Sequence, residues 1–219
     1  MTANEVMILA RSGELRQLGP NIRDDDATLI TFINLGLVEI YKRFILKTGE
    51  AIITLVDGKT IYSLDGTDPD VDMGGQEFMY LIAAYGESLD DADYTDDDII
   101  LPINVEDDAY SINTISYNQV QVPLITVGAR ISLIYGAKPT KVTALTLDAE
   151  LDIPDQYVEP LLHYIGYRGH GAMDGNIQAE SNTHYMRFER SCDKVRELGV
   201  GIAPDDFEMP RRIEDRGFI

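Results

Sequence analysis

Residues 151–199, LDIPDQYVEPLLHYIGYRGHGAMDGNIQAESNTHYMRFERSCDKVRELG, decide the fold. In the second half Ile177, Ser181, Tyr185, Phe188, Cys192 and Val195 recur at steps of four and three, which lays one mostly apolar stripe along a helix. Asp174 and Asn176 are the candidate N-caps, and Gly199 is the natural stop. The first half interleaves Leu161, Leu162, Tyr164, Ile165 and Tyr167 with Gly166, Gly169 and Gly171. Each interior glycine costs a helix about 1 kcal/mol against alanine. These three glycines therefore predict a close-packed neighbour, either the long helix at 26–46 or a second copy of the chain. Pro160 is tolerated only near a helix start, so regular helix is expected from there, after a looser turn at 155–159.

Working outward, residues 2–18 read as one helix, or two short ones joined at Ser12-Gly13. Thr2 is its cap, and Val6, Leu9 and Ala10 form its apolar face. Gly19-Pro20 ends it. Asp24, Asp25 and Asp26 then crowd the start of a second helix, where carboxylates suit the positive end of the dipole. They read as caps in preference to metal ligands, since no other ligand type clusters nearby. Ile30, Ile33, Leu37, Ile40, Tyr41 and Phe44 continue this helix for about five turns.

From Thr48 the period changes. AIITLVDGKTIYSL is β-branched and apolar on both sides of Asp57-Gly58, a strong hairpin signal. EFMYLIAAYG is a further strand, and a helical period is conceivable only around Asp108–Thr114. Asn118 to Val122 alternates, 123–128 turns, and ARISLIYGAKP is the expected partner strand. The pattern predicts an α+β chain. Helices from both ends (1–47 and 148–199) form a bundle. An acidic antiparallel β domain of five to seven strands (48–147) is inserted between them, and an extended arm (200–219) follows.

Charge narrows the function classes. The chain carries a net −20, with −15 of it in residues 57–108, where Lys59 is the sole base. Such a chain does not hold nucleic acid by neutralising phosphates. No apolar run reaches membrane-spanning length, and no signal peptide is evident. The lone Cys192 lies on the apolar stripe and reads as buried filler. His163, His170 and His184 show no metal-protease spacing, and no nucleophile elbow or phosphate loop occurs. An enzyme built on His163, His170 and aspartates is disfavoured, so no catalytic residue, metal or cofactor is expected. Asp68, Asp70 and Asp72 have the alternate spacing of a calcium loop, but Met73 displaces the glycine and Met79 stands at the twelfth position. A solvated acidic loop is the preferred reading, with a calcium-dependent binding module as a rival. Asp90, Asp91, Asp93, Asp96, Asp97 and Asp98 form a second acidic run.

Four segments in this order resemble the head-to-tail connectors of tailed bacteriophages. They are NLGLVEIYKRFILKTGEAIITLVDGKTIYSL, ILPINVEDDAYSINT, NQVQVPLITVGARISLIYGAKPTKV, and LDIPDQYVEPLLHYIGYRGHGA with the helix through Leu198. The glycines at 166, 169 and 171 and the long acidic stretches 65–76 and 87–98 depart from that pattern. The resemblance implies a portal-docking adaptor made in the host cytoplasm and built into the virion neck. It further implies a ring of about twelve copies, with the portal protein above, a tail or nozzle protein below, and DNA passing through without specific binding. A stopper or tail-completion protein is the alternative within the virion. On this reading the second acidic run faces the channel or the tail. Met209, Arg211, Arg212, Phe218 and Ile219 form an arm that orders on the portal or a neighbouring copy.

Overall fold

A capping box opens the first helix, α1 (Ala3–Ser12): the Thr2 hydroxyl accepts from the Glu5 N–H, and the Glu5 carboxylate accepts from the Thr2 N–H. This comes from a computed structural model, which describes residues 1–87, 99–123, 130–172 and 178–199. Ala3, Val6, Met7 and Ala10 turn inward at steps of three, one and three, whereas Leu9, expected on that face, is 41% exposed. Ala3 and Met7 rotate the buried stripe one position round the axis. α1 stops at Gly13. The following turn buries Leu15 and Leu18, and a single-turn helix, α2 (Pro20–Arg23), leads to the long helix α3 (Asp26–Arg43).

The three aspartates at the start of α3 have separate duties. Asp25 caps the helix by accepting from the Thr28 N–H at 3.1 Å. Asp24 pairs with Arg23 and Asp26 with Arg11. Inward-facing Leu29, Phe32, Ile33, Leu37, Ile40 and Tyr41 bury the apolar side of α3.

The late pair is α4 (Val158–Gly171), entered through a 3-10 turn at Asp155–Tyr157, and α5 (Gln178–Glu197). α4 begins two residues ahead of Pro160 and runs unbroken through Gly166 and Gly169. On α5, Ser181, Phe188, Cys192 and Val195 are buried, while Tyr185 is 38% exposed at the edge of the stripe. Gly199 takes a φ of +64°, the left-handed turn that ends the helix. Ile177, Asp174 and Asn176 lie outside the described residues.

These helices form one compact unit, Met1–Leu46 together with residues 139–199. Residues 139–147, expected with the β region, belong here because their backbone bonds to the helices. Asn34 clasps Val142, donating from Nδ2 to its carbonyl (2.9 Å) and accepting its N–H (2.8 Å). The Asn4 N–H donates to the Leu147 carbonyl (3.0 Å) and the Leu151 N–H to the Met1 carbonyl (2.9 Å).

The second unit, Lys47–Lys138, holds eight strands among its described residues. These are β1 (Thr48–Thr54), β2 (Ile61–Ser63), β3 (Val71–Asp72), β4 (Phe78–Glu87), β5 (Ile99–Leu101), β6 (Asn113–Ser116), β7 (Gln119–Gln121) and β8 (Arg130–Ala137). They make a five-stranded sheet, β3-β1-β8-β4-β5, and a three-stranded sheet, β2-β7-β6. Every ladder in both sheets is antiparallel. Ile53, Val71, Leu101, Ile131 and Leu133 from the first sheet meet Tyr62 and Val120 from the second, and Val122 just past β7, in one buried core.

Three expectations for this region are corrected. The Asp57-Gly58 turn forms, with Gly58 at φ +75°, but β1 and β2 do not pair. Both edges of β1 are taken, by β3 and β8, so the chain leaves the turn for the other sheet. Likewise β7 pairs with β6 and β2, while β8 lies between β1 and β4. Residues 108–114 contain no helix. Asp108 accepts the Tyr110 N–H at 2.8 Å, an aspartate turn that competes with helical pairing, and the chain then enters β6.

The central strand β8 is buried along most of its length. Opposite its Tyr135 stands Gly49, and opposite its Gly136 stands Tyr80. A Cβ on Gly49 would lie 2.4 Å from the Tyr135 ring, and one on Gly136 would lie 2.5 Å from the Tyr80 ring. No helix among the described residues is long and apolar enough to cross a membrane.

Candidate functional site

The glycines of α4 mark where the most unusual polar cluster is built. A Cβ on Gly166 would come within 2.7 Å of Nδ1 of His184, on α5. One on Gly169 would lie 2.5 Å from Leu15, in the turn after α1, and one on Gly171 would lie 3.2 Å from the Ser181 hydroxyl. The nearest atoms to these glycines thus come from α5 and from the turn after α1. The long helix α3 instead meets α4 through a glycine of its own, Gly36, over Leu161 and Tyr164.

The His184 ring comes into the space left by Gly166, and Glu14, His163 and His170 gather about it. His163 Nδ1 lies 3.4 Å from one oxygen of Glu14, and His184 Nδ1 lies 3.0 Å from the other. The His170 ring stacks on that of His184 with centroids 4.7 Å apart. Its Nε2 sits 3.0 Å from the Glu14 carbonyl oxygen, and its Nδ1 is 3.2 Å from Glu180. His170 and His184 are buried, at 4% and 8% exposure. Nδ1 of each histidine is buried without a hydrogen bond of normal geometry. The two imidazole nitrogens nonetheless stand close enough to favour the charged carboxylate. His163 first, and His184 after it, hold the Glu14 carboxyl far below the usual carboxylate range, against the opposing effect of burial. Gly13, Glu14, Arg16, Gln17, His170 and His184 help line a cleft of about 320 Å³ beside this cluster.

A second connection ties α5 to α3. Arg43 makes a two-pronged ion pair with Glu189, at 2.5 and 2.7 Å, and its guanidinium lies 4.7 Å above the Phe188 ring. Arg43 holds the Glu189 carboxyl below its ordinary value. Cys192 is 1% exposed, and burial pushes its thiol up to about 12, which leaves it inert as a nucleophile.

The aspartates with calcium-loop spacing are engaged by a cation of the chain's own. Lys59 Nζ contacts Asp68 at 2.6 Å and Asp70 at 2.7 Å. Asp68 also accepts the N–H groups of Ser63 and Asp70, and Asp72 turns away to accept the Gly74 N–H. Asp90, Asp91, Asp93, Asp96, Asp97 and Asp98 lie outside the described residues, as do Met209, Arg211, Arg212, Phe218 and Ile219. Large apolar side chains remain exposed in both units, led by Leu145 at 97% and Tyr117 at 83%.

The Glu14–His184 contact was not visible in the sequence, because its members sit on elements far apart in the chain. The glycines at 166 and 169 were the one local sign that something bulky would lie against α4. Nothing in this geometry supplies a nucleophile with its base. Comparison with curated proteins finds no match. The family model of the SU10 adaptor protein, in contrast, matches residues 1–207, nearly the whole chain and both units. The chain therefore belongs to the SU10 adaptor protein family, a family of phage head-to-tail adaptors.

Proposed function

We propose that this protein is a non-enzymatic subunit of a head-to-tail adaptor ring, about twelve copies strong, which joins the portal to the tail around the DNA exit channel. The family match over residues 1–207 carries this reading. Three features support it. The helices flank the β unit in sequence, which suits a helical bundle with an inserted β domain. Exposed Leu145 and Tyr117 offer apolar contact to neighbours. The −15 charge of residues 57–108 suits a wall past which DNA slides without sticking.

Within this proposal the acidic run at 90–98 faces the channel or the tail, and residues 203–219 form an arm that orders on the portal. Gly166, Gly169 and Gly171 keep α4 thin enough for the bundle to close. Native mass measured alone and with portal protein added tests the assembly. The expected result is a defined ring on the portal, with an open bore and twelvefold class averages. A chain that stays monomeric beside an intact portal refutes it, and a closed bore indicates a stopper. Deleting 203–219 should weaken docking and leave the fold intact; unchanged docking removes the arm from the proposal.

A further inference from the structure

The cluster at Gly166 has a geometry that two histidines and a carboxylate adopt around a metal ion. We infer that Glu14, His163 and His184 form a site for a divalent transition-metal ion of the zinc class, which clamps the turn after α1 to α4 and α5. One ligand atom from each residue lies within 4.8 Å of the other two. In a tetrahedral zinc site with bonds of about 2.0–2.1 Å, ligand atoms stand roughly 3.3–3.4 Å apart. The two carboxylate–imidazole separations here, 3.4 and 3.0 Å, approach that value, each to a different oxygen of Glu14.

Alignment supplies an independent observation. A hydrogen-bond acceptor sits near the N–H axis of its donor. Two ligands of one ion do not, because the ion occupies each nitrogen's axis and the oxygen stands to the side. Nδ1 of His163 and of His184 are buried, close to Glu14, and without an aligned hydrogen bond. Both nitrogens thus lack the partner that an ion would supply, and His184 is 8% exposed. The surroundings match a metal-ligand shell as well. Glu159 stands 3.7 Å from Nε2 of His163, where a carboxylate favours the tautomer whose Nδ1 lone pair is available. Stacking on His170 and the absence of a Cβ at Gly166 fix the plane of the His184 ring. Glu14 and His184 both line the adjoining cleft, which gives the ion and a water, as fourth ligand, a way in. Two imidazoles with one carboxylate select a borderline ion such as Zn²⁺ over Mg²⁺ or Ca²⁺, which take oxygen sets.

The test uses the full chain, stripped with EDTA and dialysed. It is titrated with Zn²⁺ by calorimetry and with Co²⁺ by visible absorption, and melted with and without Zn²⁺. The expected result is one ion per chain with Kd below roughly 10 μM, intense tetrahedral Co²⁺ bands, and a Tm raised by about 5 °C or more. Glu14→Gln, which keeps the side-chain shape, and His163→Ala should each weaken Zn²⁺ binding more than about 100-fold. Asp68→Asn with Asp70→Asn should leave it unchanged. If His163→Ala fails to fold, Glu14→Gln alone decides. Absence of saturable binding in the unaltered chain overturns the assignment, as does Zn²⁺ affinity that survives Glu14→Gln.

Discussion

In the helical unit a glycine faces a side chain that arrives from another helix or turn, whereas in the β unit it faces a ring on the neighbouring strand of its own sheet. Gly166 receives His184 across the α4–α5 contact, and Gly36 receives Leu161 and Tyr164 across the α3–α4 contact. Gly49 and Gly136 are instead directly paired with Tyr135 and Tyr80. The helical glycines set how near two axes come. The sheet glycines set register, since a slip of one residue would replace each glycine–tyrosine pair by a clash on the other face. A missing side chain therefore acts as a spacer in one unit and as an alignment key in the other.

The largest effect should come from filling the helical space. Gly166→Leu is expected to cost about 3 kcal/mol, because α5 and the His184 ring must move together, and chemical denaturation measures it. A loss below about 1 kcal/mol would mean that the helices part easily and would break the contrast. Next, Gly136→Ala should cost about 2 kcal/mol in the same assay, since its Cβ meets the Tyr80 ring. On a Tyr80→Ala background that cost should fall to roughly 0.5 kcal/mol, which a double-mutant cycle reads directly. An undiminished cost would show that the ring is not what occupies the space.

Charge separates the units further. Arg43–Glu189 joins helices distant in sequence, whereas Lys59 serves aspartates just across β2, nine and eleven residues on. Glu189→Gln should cost about 1 kcal/mol, a figure discounted because the carboxylate is partly exposed and screened. Arg43 lowers the Glu189 pKa in the fold, so this contribution is full above the ordinary value of 4.5 and fades as pH falls below it toward the depressed folded value. Melting in Glu189→Gln should accordingly show a shallower acid limb than the unaltered chain. A parallel limb would remove Glu189 from the acid response. The smallest effect is Lys59→Met, roughly 0.5–1 kcal/mol, because the pairs it breaks lie partly in water. Calcium at millimolar concentration should not raise the Tm of the unaltered chain, with Lys59 between Asp68 and Asp70; a rise of several degrees would restore the calcium reading.

Helices were readable because their period is local. The spacing from Ile33 to Tyr41, the aspartate cap of α3 and the Gly199 stop are each set by residues within a few positions. Which side of α1 turns inward depended on a distant partner, and Leu9 was misplaced for that reason. Strand existence was equally readable at Phe78–Glu87 and Arg130–Ala137, but pairing was not. The Asp57-Gly58 turn carries hairpin chemistry, yet β1 found both its partners elsewhere, and a local turn does not outweigh two ladders. The candidate site was the least readable. Glu14, His163 and His184 each look ordinary in their own segments, and their convergence needs the α4–α5 approach that the glycines only hinted at.

The return of residues 139–151 to the first helix has a consequence for the order in which the chain matures. Asn4 bonds to Leu147, and Leu151 bonds to Met1, so the opening helix lacks these partners until some 150 residues have been made. The β unit, continuous from Lys47 to Lys138, leaves the ribosome whole before the last stretch of the helical unit exists. Folding is thereby sequenced from the middle outward. The insertion is finished first, and α1 and α3 wait with their apolar sides uncovered until α4 and α5 arrive. A ribosome stalled once Lys138 has cleared its exit tunnel, but before α5 has emerged, should therefore display a protease-resistant centre attached to a protease-sensitive beginning.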